Sequence, residues 1–485
     1  MSGANGGEGL QSRLRHPQED LPAAAQGDTA GSIDMAGRCA FALAVAKKAG
    51  ADFADAMVAG GRSTSVKVRL GNVIEVVQSR DQGLGIRVLV AGDGGLKTAT
   101  TSTSDLGDEA IERLVTAAVA MARRTAADPF AGPPESGFEP EPGAPIDLET
   151  WDDEVYRLDP DRALQMALAT EAAALGVDAR FTNSEGGEMS WGYSELHVTD
   201  SNGRGRGKRA TSASLWTTPV AEDGPGKQRD YWWTSGRWLA DLESPDSVGK
   251  KAAARTLRRL GARKPETAEV PVIFEAPIAS GLLGSISGAA NGGAIYRDSS
   301  WLCGKLGQTI AASGVTLVDN PWIVRGAASR LFDGEGLATR PMTLVEAGVL
   351  KTWVLDTYSG KKLGLPSTRS AWRGLGGSPS PGTSNLWMNN GDESLEALIA
   401  GTKTGLFVTG TVGGGANTVT GDFSQGVVGL WIEDGKIAYP VEEITIASTL
   451  AAMWSAVDGI ANDRHPGRAT SAPSFRIGKM TVAGR

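Results

Sequence analysis

The stretch STSVKVRLGNVIEVVQSRDQGLGIRVLVAGDGGLKTATTS, Ser63 to Ser102, decides the fold class. SVKVRL and GIRVLVA alternate apolar and polar residues, the period of strands with one covered face. Gly71 and the Gly94–Gly95 pair fall between the runs, where tight turns require positive φ. The segment predicts an antiparallel meander. Before it, DMAGRCAFALAVAKKAG (Asp34 to Gly50) has helical character and ends at Gly50 with lysines in its last turn, opposing the helix dipole. After it, Asp105 is placed to cap LGDEAIERLVTAAVAMARRTA, whose apolar spacing makes a core-facing stripe. Helices and antiparallel strands that do not strictly alternate give an α+β fold rich in antiparallel sheet.

The rest of the chain extends this pattern. Residues 1–31 are polar, with composition too poor in apolar groups to offset ordering entropy, and read as a disordered extension that adds nothing to stability. Residues 32–130 form a first α+β domain, and 131–150 a Pro-rich linker. Residues 151–265 form a central α+β domain, with helices over DPDRALQMALATEAAALG and SVGKKAAARTLRRLG flanking strands. Residues 266–485 form a large Gly-rich β domain; the 65 glycines cluster between short strand-like runs, as in a sheet with tight turns and bulges.

A net charge of −8 disfavours direct nucleic-acid binding through broad positive charge. Two cysteines, Cys39 and Cys303, make no disulfide framework, and no long apolar run or signal-like segment occurs, so the expected setting is the cytoplasm, away from the membrane.

Catalytic chemistry is sparse. The three histidines, His16, His197 and His465, have no metal-site spacing. GSISG puts Ile286 where a nucleophile elbow needs serine. The pairs Ser247/Lys250 and Ser359/Lys362 match S-x-x-K, a pattern that arises by chance in lysine-rich helices. GRGRGKR (Gly203 to Arg209) could contact phosphates, though a hairpin turn with solvated flanks explains it as well. The carboxylates of DGEG (Asp333 to Gly336) and TGDFSQG (Thr420 to Gly426) are scattered.

Longer phrases carry a resemblance. RLGNVIEVVQSRDQGLGIRVLV, LFDGEGLATRPMTLVEAGVLKTWVLDTYSGKKLGL, VTGDFSQGVVGLWIEDGKIAYPVEEITIASTL and APSFRIGKMTVAG are similar, in order and spacing, to the TldD/PmbA family of metallopeptidases, over about residues 36–484. The resemblance implies a heterodimeric peptidase in which a TldD-type subunit carries H-E-x-x-x-H after a Leu-Leu pair, plus a C-terminal cysteine, as a zinc site. In this chain Leu282-Leu283 lead into LLGSISGAANGGA, with Gly284 and Ala289 at the histidine positions and Ser285 at the glutamate position. SAPSFRIG offers no cysteine.

These departures resemble the PmbA (TldE) type of subunit. They imply a chain with no catalytic residue and no metal of its own, zinc being expected only in a TldD-like partner. The expected ligand is an unfolded peptide. Gly284, Gly288, Ala289 and Ala290 would give a helix face open to close backbone approach, or simply tight packing. Asp422, Phe423 and Ser424 are candidate peptide or partner contacts, and VTGTVGGGANTVTG leaves strand backbone accessible to a peptide. The family's association with DNA gyrase implies a second reading, a regulator that binds gyrase-directed or toxin–antitoxin peptides. A stand-alone hydrolase using Ser359/Lys362 is a third.

Overall fold

A computed structural model describes residues 34–485 apart from Pro225 and Pro466. The extension at 1–31, and His16 within it, lie outside the described residues. α1 (Met35–Lys48) begins at Asp34, whose carboxylate accepts the Gly37 N–H at 2.8 Å. β1 (Phe53–Arg69), β2 (Asn72–Gly92) and β3 (Gly95–Thr103) form the expected meander, reversing at Gly71 (φ 76°) and Gly94 (φ 83°). α2 (Asp108–Ala122) is capped by Gly107, not by Asp105. The Asp105 carboxylate instead accepts the Gly107 N–H, closing a turn one step before the helix. Ala42, Val45, Ile111 and Val115 seat α1 and α2 on Val58, Leu84 and Ile86.

The second unit comprises α3 (Asp153–Tyr156), α4 (Pro160–Leu175), β4 (Phe181–Asp200), β5 (Gly205–Asp223), β6 (Gly226–Arg229), β7 (Trp232–Gly236) and α5 (Pro245–Leu257). β1 pairs antiparallel with β4, from Asp55 opposite Asp200 to Val68 opposite Gly187. One seven-stranded sheet, β3-β2-β1-β4-β5-β6 with β7 against β5, therefore runs through both units. The Pro-rich segment interrupts the chain but not the sheet. It also lies on the C-terminal unit: the Gly137 carbonyl accepts the Ala338 N–H, the Leu148 carbonyl accepts the Arg325 N–H, and Glu141 pairs with Arg369.

The C-terminal unit opens with β8 (Ala268–Phe274), which sits between strands Thr404–Ala416 and Phe475–Ala483 in a six-stranded mixed sheet. A second, five-stranded sheet packs into the same core, where Phe274, Ile286, Trp454 and Phe475 are almost wholly buried.

This unit docks on the first through β2. A Cβ at Gly85 would sit 1.8 Å from the Leu375 carbonyl oxygen, so only glycine lets that loop lie on the strand. Beside it, Arg87 stands opposite Asp55 in the β1–β2 register and donates to one carboxylate oxygen from Nε (2.8 Å) and Nη2 (2.5 Å), while Arg373 from the C-terminal unit takes the other oxygen. Burial raises the Asp55 pKa, but Arg373 and Arg87 outweigh it and hold the carboxyl below the ordinary range. Among the described residues no helix is long and apolar enough to cross a membrane.

Candidate functional site

Two proline- and glycine-punctuated helices follow β8. α6 (Ala276–Leu282) starts after Glu275 with Pro277 in its first turn, and α7 is only Gly284–Ser287, the two being joined at Leu283. Gly281, Gly284 and Gly288 each lower helix propensity by about 1 kcal/mol relative to alanine, which accounts for so broken a helix. The continuous helix face expected from small residues is therefore not formed. Gly288, Ala289 and Ala290 make a turn, and Ala289 and Ala290 are fully buried, their small size serving this chain's own core. Of Gly284, Gly288, Ala289 and Ala290, the two glycines alone face solvent.

Ser285, at the glutamate position, is locked in place. Its Oγ donates to the Leu282 carbonyl at 2.7 Å and accepts from the Trp454 indole at 2.9 Å, while its carbonyl accepts from the Trp301 indole at 3.1 Å. Two tryptophans thus occupy the polar valences around the site. The C-terminal SAPSFRIG segment lies alongside: the Ala472 N–H donates to Ser280 Oγ and the Ala276 N–H to Ser474 Oγ. Zinc needs imidazole, thiolate or carboxylate donors. Gly284 and Ala289 have none, Ser285 Oγ is engaged, and the described residues hold no cluster of three His, Cys, Asp or Glu side chains suited to a metal. These residues do not fit the ion.

The Asn417–Gly421 loop leans on this region. The Trp301 N–H donates to the Thr418 carbonyl, and a Cβ at Gly288 would lie 4.0 Å from Thr418 Cγ2. The structure thereby brings Gly288 near the loop preceding Asp422, whose carboxylate accepts from Thr420 Oγ1 at 2.6 Å. Asp422 and Ser424 are exposed. Phe423 is not: alternation along its strand turns the ring into the core, so it is no surface contact. Thr404–Ala416 pairs with β8 only at Leu406–Val408, and beyond that no described strand covers its outer edge. Bulges and the left-handed Gly413 and Gly414 twist that edge, leaving Val412 64% exposed.

Other sequence candidates resolve into structural roles. Ser359 is the N3 residue of a capping box on α9 (Thr357–Leu363; α8 is Gly292–Tyr296), with Oγ 2.5 Å from Asp356 Oδ1, while Lys362 reaches toward Asp128 and the Phe130 ring. Neither is bonded to the other. Ser247 Oγ donates to Glu243, and Lys250 pairs with Asp246. His197 is half-buried in β4, with Gly205 and Gly207 close against its ring, and His465 lies near Glu243 and Trp232. Cys39 is fully buried, and burial pushes its thiol up to about 11; Cys303 is only half-buried.

The DGEG carboxylates meet a distant one, Asp356, in space, while Asp422 stays apart. The Asp333 carboxylate accepts the N–H groups of Glu335, Leu337 and Ala371, and Glu335 accepts from both the N–H and hydroxyl of Thr357, alongside Asp356. These carboxylates line or adjoin a cleft of about 550 Å³ with Arg87, Asn291 and Tyr358, at the junction with the first unit. No local signal in the sequence pairs these segments. Burial, then the charges of Asp333 and Asp356, push the Glu335 carboxyl up to about 8. The folded protein then holds a proton that the unfolded chain releases near ~4.3, so stability should fall as pH rises from that value through about 8. Glu335→Gln should match the parent in urea unfolding at pH 5 and be the more stable at pH 8, by ~1 kcal/mol or more. A parent whose stability rises over that range would contradict the assignment.

Three family domains match in order: PmbA/TldA metallopeptidase domain 1 over residues 54–122, the central domain over 153–260, and the C-terminal domain over 267–484. Metalloprotease PmbA of Escherichia coli O157:H7 is 36% identical, with 93% of this chain and 96% of that protein aligned. A Bacteroides thetaiotaomicron crystal structure, of a chain whose proposed role is modulation of DNA gyrase, superposes with a TM-score of 0.84 at 29% identity, covering 94% of this chain and 100% of that one. TldE from Thermococcus kodakarensis shares the fold, with a TM-score of 0.81 at 22% identity over 91% of this chain and 99% of that one.

Proposed function

The chain belongs to the PmbA/TldD metallopeptidase family, and from that premise we propose that it is a non-catalytic subunit. It pairs with a TldD-like chain, which holds the zinc, and helps present unfolded peptides to it. The observation that carries this reading is the Gly284-Ser285…Ala289 segment, with no donor atom at the two histidine positions and Ser285, at the glutamate position, held by Trp454 and Trp301. The α7 turn and the open, Gly-rich edge beyond Val408 are the surfaces on which an extended peptide would lie.

Pairing has a suitable surface in the far arm of the β1–β2 hairpin. β2 has no described strand neighbour other than β1 between Asn72 and Gly83, and Leu70 (48%), Ile74 (52%) and Val77 (45%) are exposed there. Such an edge is what a second subunit covers.

The test is co-purification with the TldD-like chain followed by a peptide-cleavage assay. Alone, this chain should contain far less than one zinc per chain and leave casein-like and short peptides uncut. The mixture should cleave, and should lose cleavage when the partner's motif glutamate is removed. Ile74→Lys should abolish co-purification. Stoichiometric zinc in the isolated chain, or cleavage by a mixture lacking the partner's glutamate, would overturn the reading.

A further inference from the structure

A cleft of about 1250 Å³ lies away from the α7 region, between β5 and the Arg325–Phe332 loop of the C-terminal unit. It is basic in an acidic protein. Six arginine and lysine side chains line it against three carboxylates, Asp147, Glu149 and Glu195, in a chain of net charge −8. Glu149 is already paired with Arg325.

Of these six cations only Arg325 has a carboxylate within ion-pair distance among the described residues. Arg237 directs three of its five N–H donors to the carbonyls of Thr211, Gly326 and Ala327 and keeps two free of any carboxylate. Arg330, 4% exposed, donates to the carbonyls of Ala371 and Gly382, stacks over Trp372 at 4.2 Å, and leaves Nε without a partner. Among the described residues the Lys208 ammonium has no hydrogen-bond or ion-pair partner, and it stands 5.9 Å from the Trp372 ring. Burial, then the charges of Arg330 and Arg237, pull that ammonium down to about 8. Grouping cations this way costs folding energy that an anionic ligand would return.

The cleft also contains an open strand edge. β5 pairs with β4 from Gly205 onward, but β7 covers its other side only from Ala213 to Thr217. Between Gly205 and Ala210, residues 206–210 of which line the cleft, no described strand pairs with that side, and Thr150 donates to the Arg209 carbonyl and accepts the Thr211 N–H. Gly207 lies at the middle of this edge, so a second backbone can approach. The volume exceeds the ~300–1,000 Å³ typical of small-molecule pockets.

We propose that this cleft binds an acidic segment of an extended polypeptide, adding it as a strand on β5 at Gly205–Ala210 and taking its carboxylates on Lys208, Arg237 and Arg330. The GRGRGKR run is then an anion-binding strand: Lys208 lies in the cleft, and Arg206, two residues before it, is anchored on the Phe138 carbonyl. This rests on the peptide-handling reading above and names the class of peptide.

The test uses the full-length chain alone, with fluorescence anisotropy of a labelled short peptide alternating glutamate and valine, and of its glutamine counterpart. The acidic peptide should bind at least about tenfold more tightly than the glutamine peptide, and more weakly as salt is raised. Lys208→Gln should weaken it about tenfold, and Lys208→Arg should restore it. Lys208 has no partner to lose, so folding is not at stake. Equal binding of both peptides, unchanged binding by Lys208→Gln, or binding of inorganic phosphate with no peptide binding would each overturn the proposal. No peptidase activity is read, so failure here leaves subunit pairing standing, and failed pairing leaves this measurement intact.

Discussion

Asp55→Ala is expected to destabilise the protein by about 3–5 kcal/mol, the cost of leaving buried charge unpaired. The substitution strands two guanidiniums at once. The Arg87 side chain is 10% exposed and that of Arg373 1%, its Nε and Nη2 already lacking partners among the described residues. Because Arg373 comes from the C-terminal unit and Arg87 from β2, the loss should also loosen docking between them. Urea unfolding followed by tryptophan fluorescence measures the first effect. Limited proteolysis near Leu375 measures the second. A loss below ~1 kcal/mol would mean that water reaches and screens these guanidiniums.

The second large effect separates three neighbouring positions. Ser285→Glu should cost about 3 kcal/mol or more, since it overpacks a buried site and removes the acceptor of the Trp454 indole. Ala289→His should cost ~1–3 kcal/mol, because Ala289 is fully enclosed. Gly284→His should be nearly neutral, because a Cβ there meets nothing within 4 Å. The triple replacement should bind no zinc tightly and cleave nothing, lacking a third ligand and the hydrogen bonds that orient ligands. Thermal melts of the single variants and metal analysis of the triple variant check this. A Gly284→His variant as damaged as Ala289→His would show that α7 is covered in solution.

The reading from sequence placed Gly284, Gly288, Ala289 and Ala290 together on one helix face, for close backbone approach or tight packing. It could not see that Gly281, Gly284 and Gly288 divide the helix, so that glycine and alanine, alike in size, end on opposite sides of the protein surface. Local signals served well where the physics is local. The alternation in SVKVRL, the turn glycines Gly71 and Gly94, and the lysines ending α1 all mark what they were read to mark. Phe423 was misjudged because its exposed neighbours hid a strand alternation that points it inward. The Asp55–Arg87–Arg373 cluster, the assembly of Asp333, Glu335 and Asp356, and the basic cleft bring together residues far apart in the chain, for which no window of sequence carries a signature. Lys208 was legible as a charge in a hairpin flank, but not as one lacking a counter-ion.

The seven-stranded sheet has a consequence for synthesis. β1 gains β2 at once, but its other neighbour, β4, is encoded roughly 120–145 residues later, since Val68 meets Gly187 and Asp55 meets Asp200. At ~5–20 residues per second, the ribosome takes roughly 6–30 s to deliver it. During that interval the nascent meander carries an unpaired strand, a template on which another growing chain can aggregate. The centre of β1, Gly60-Gly61-Arg62-Ser63-Thr64-Ser65, is glycine, hydroxyl and positive charge, with no apolar side chain. Its composition protects the waiting edge until β4 emerges.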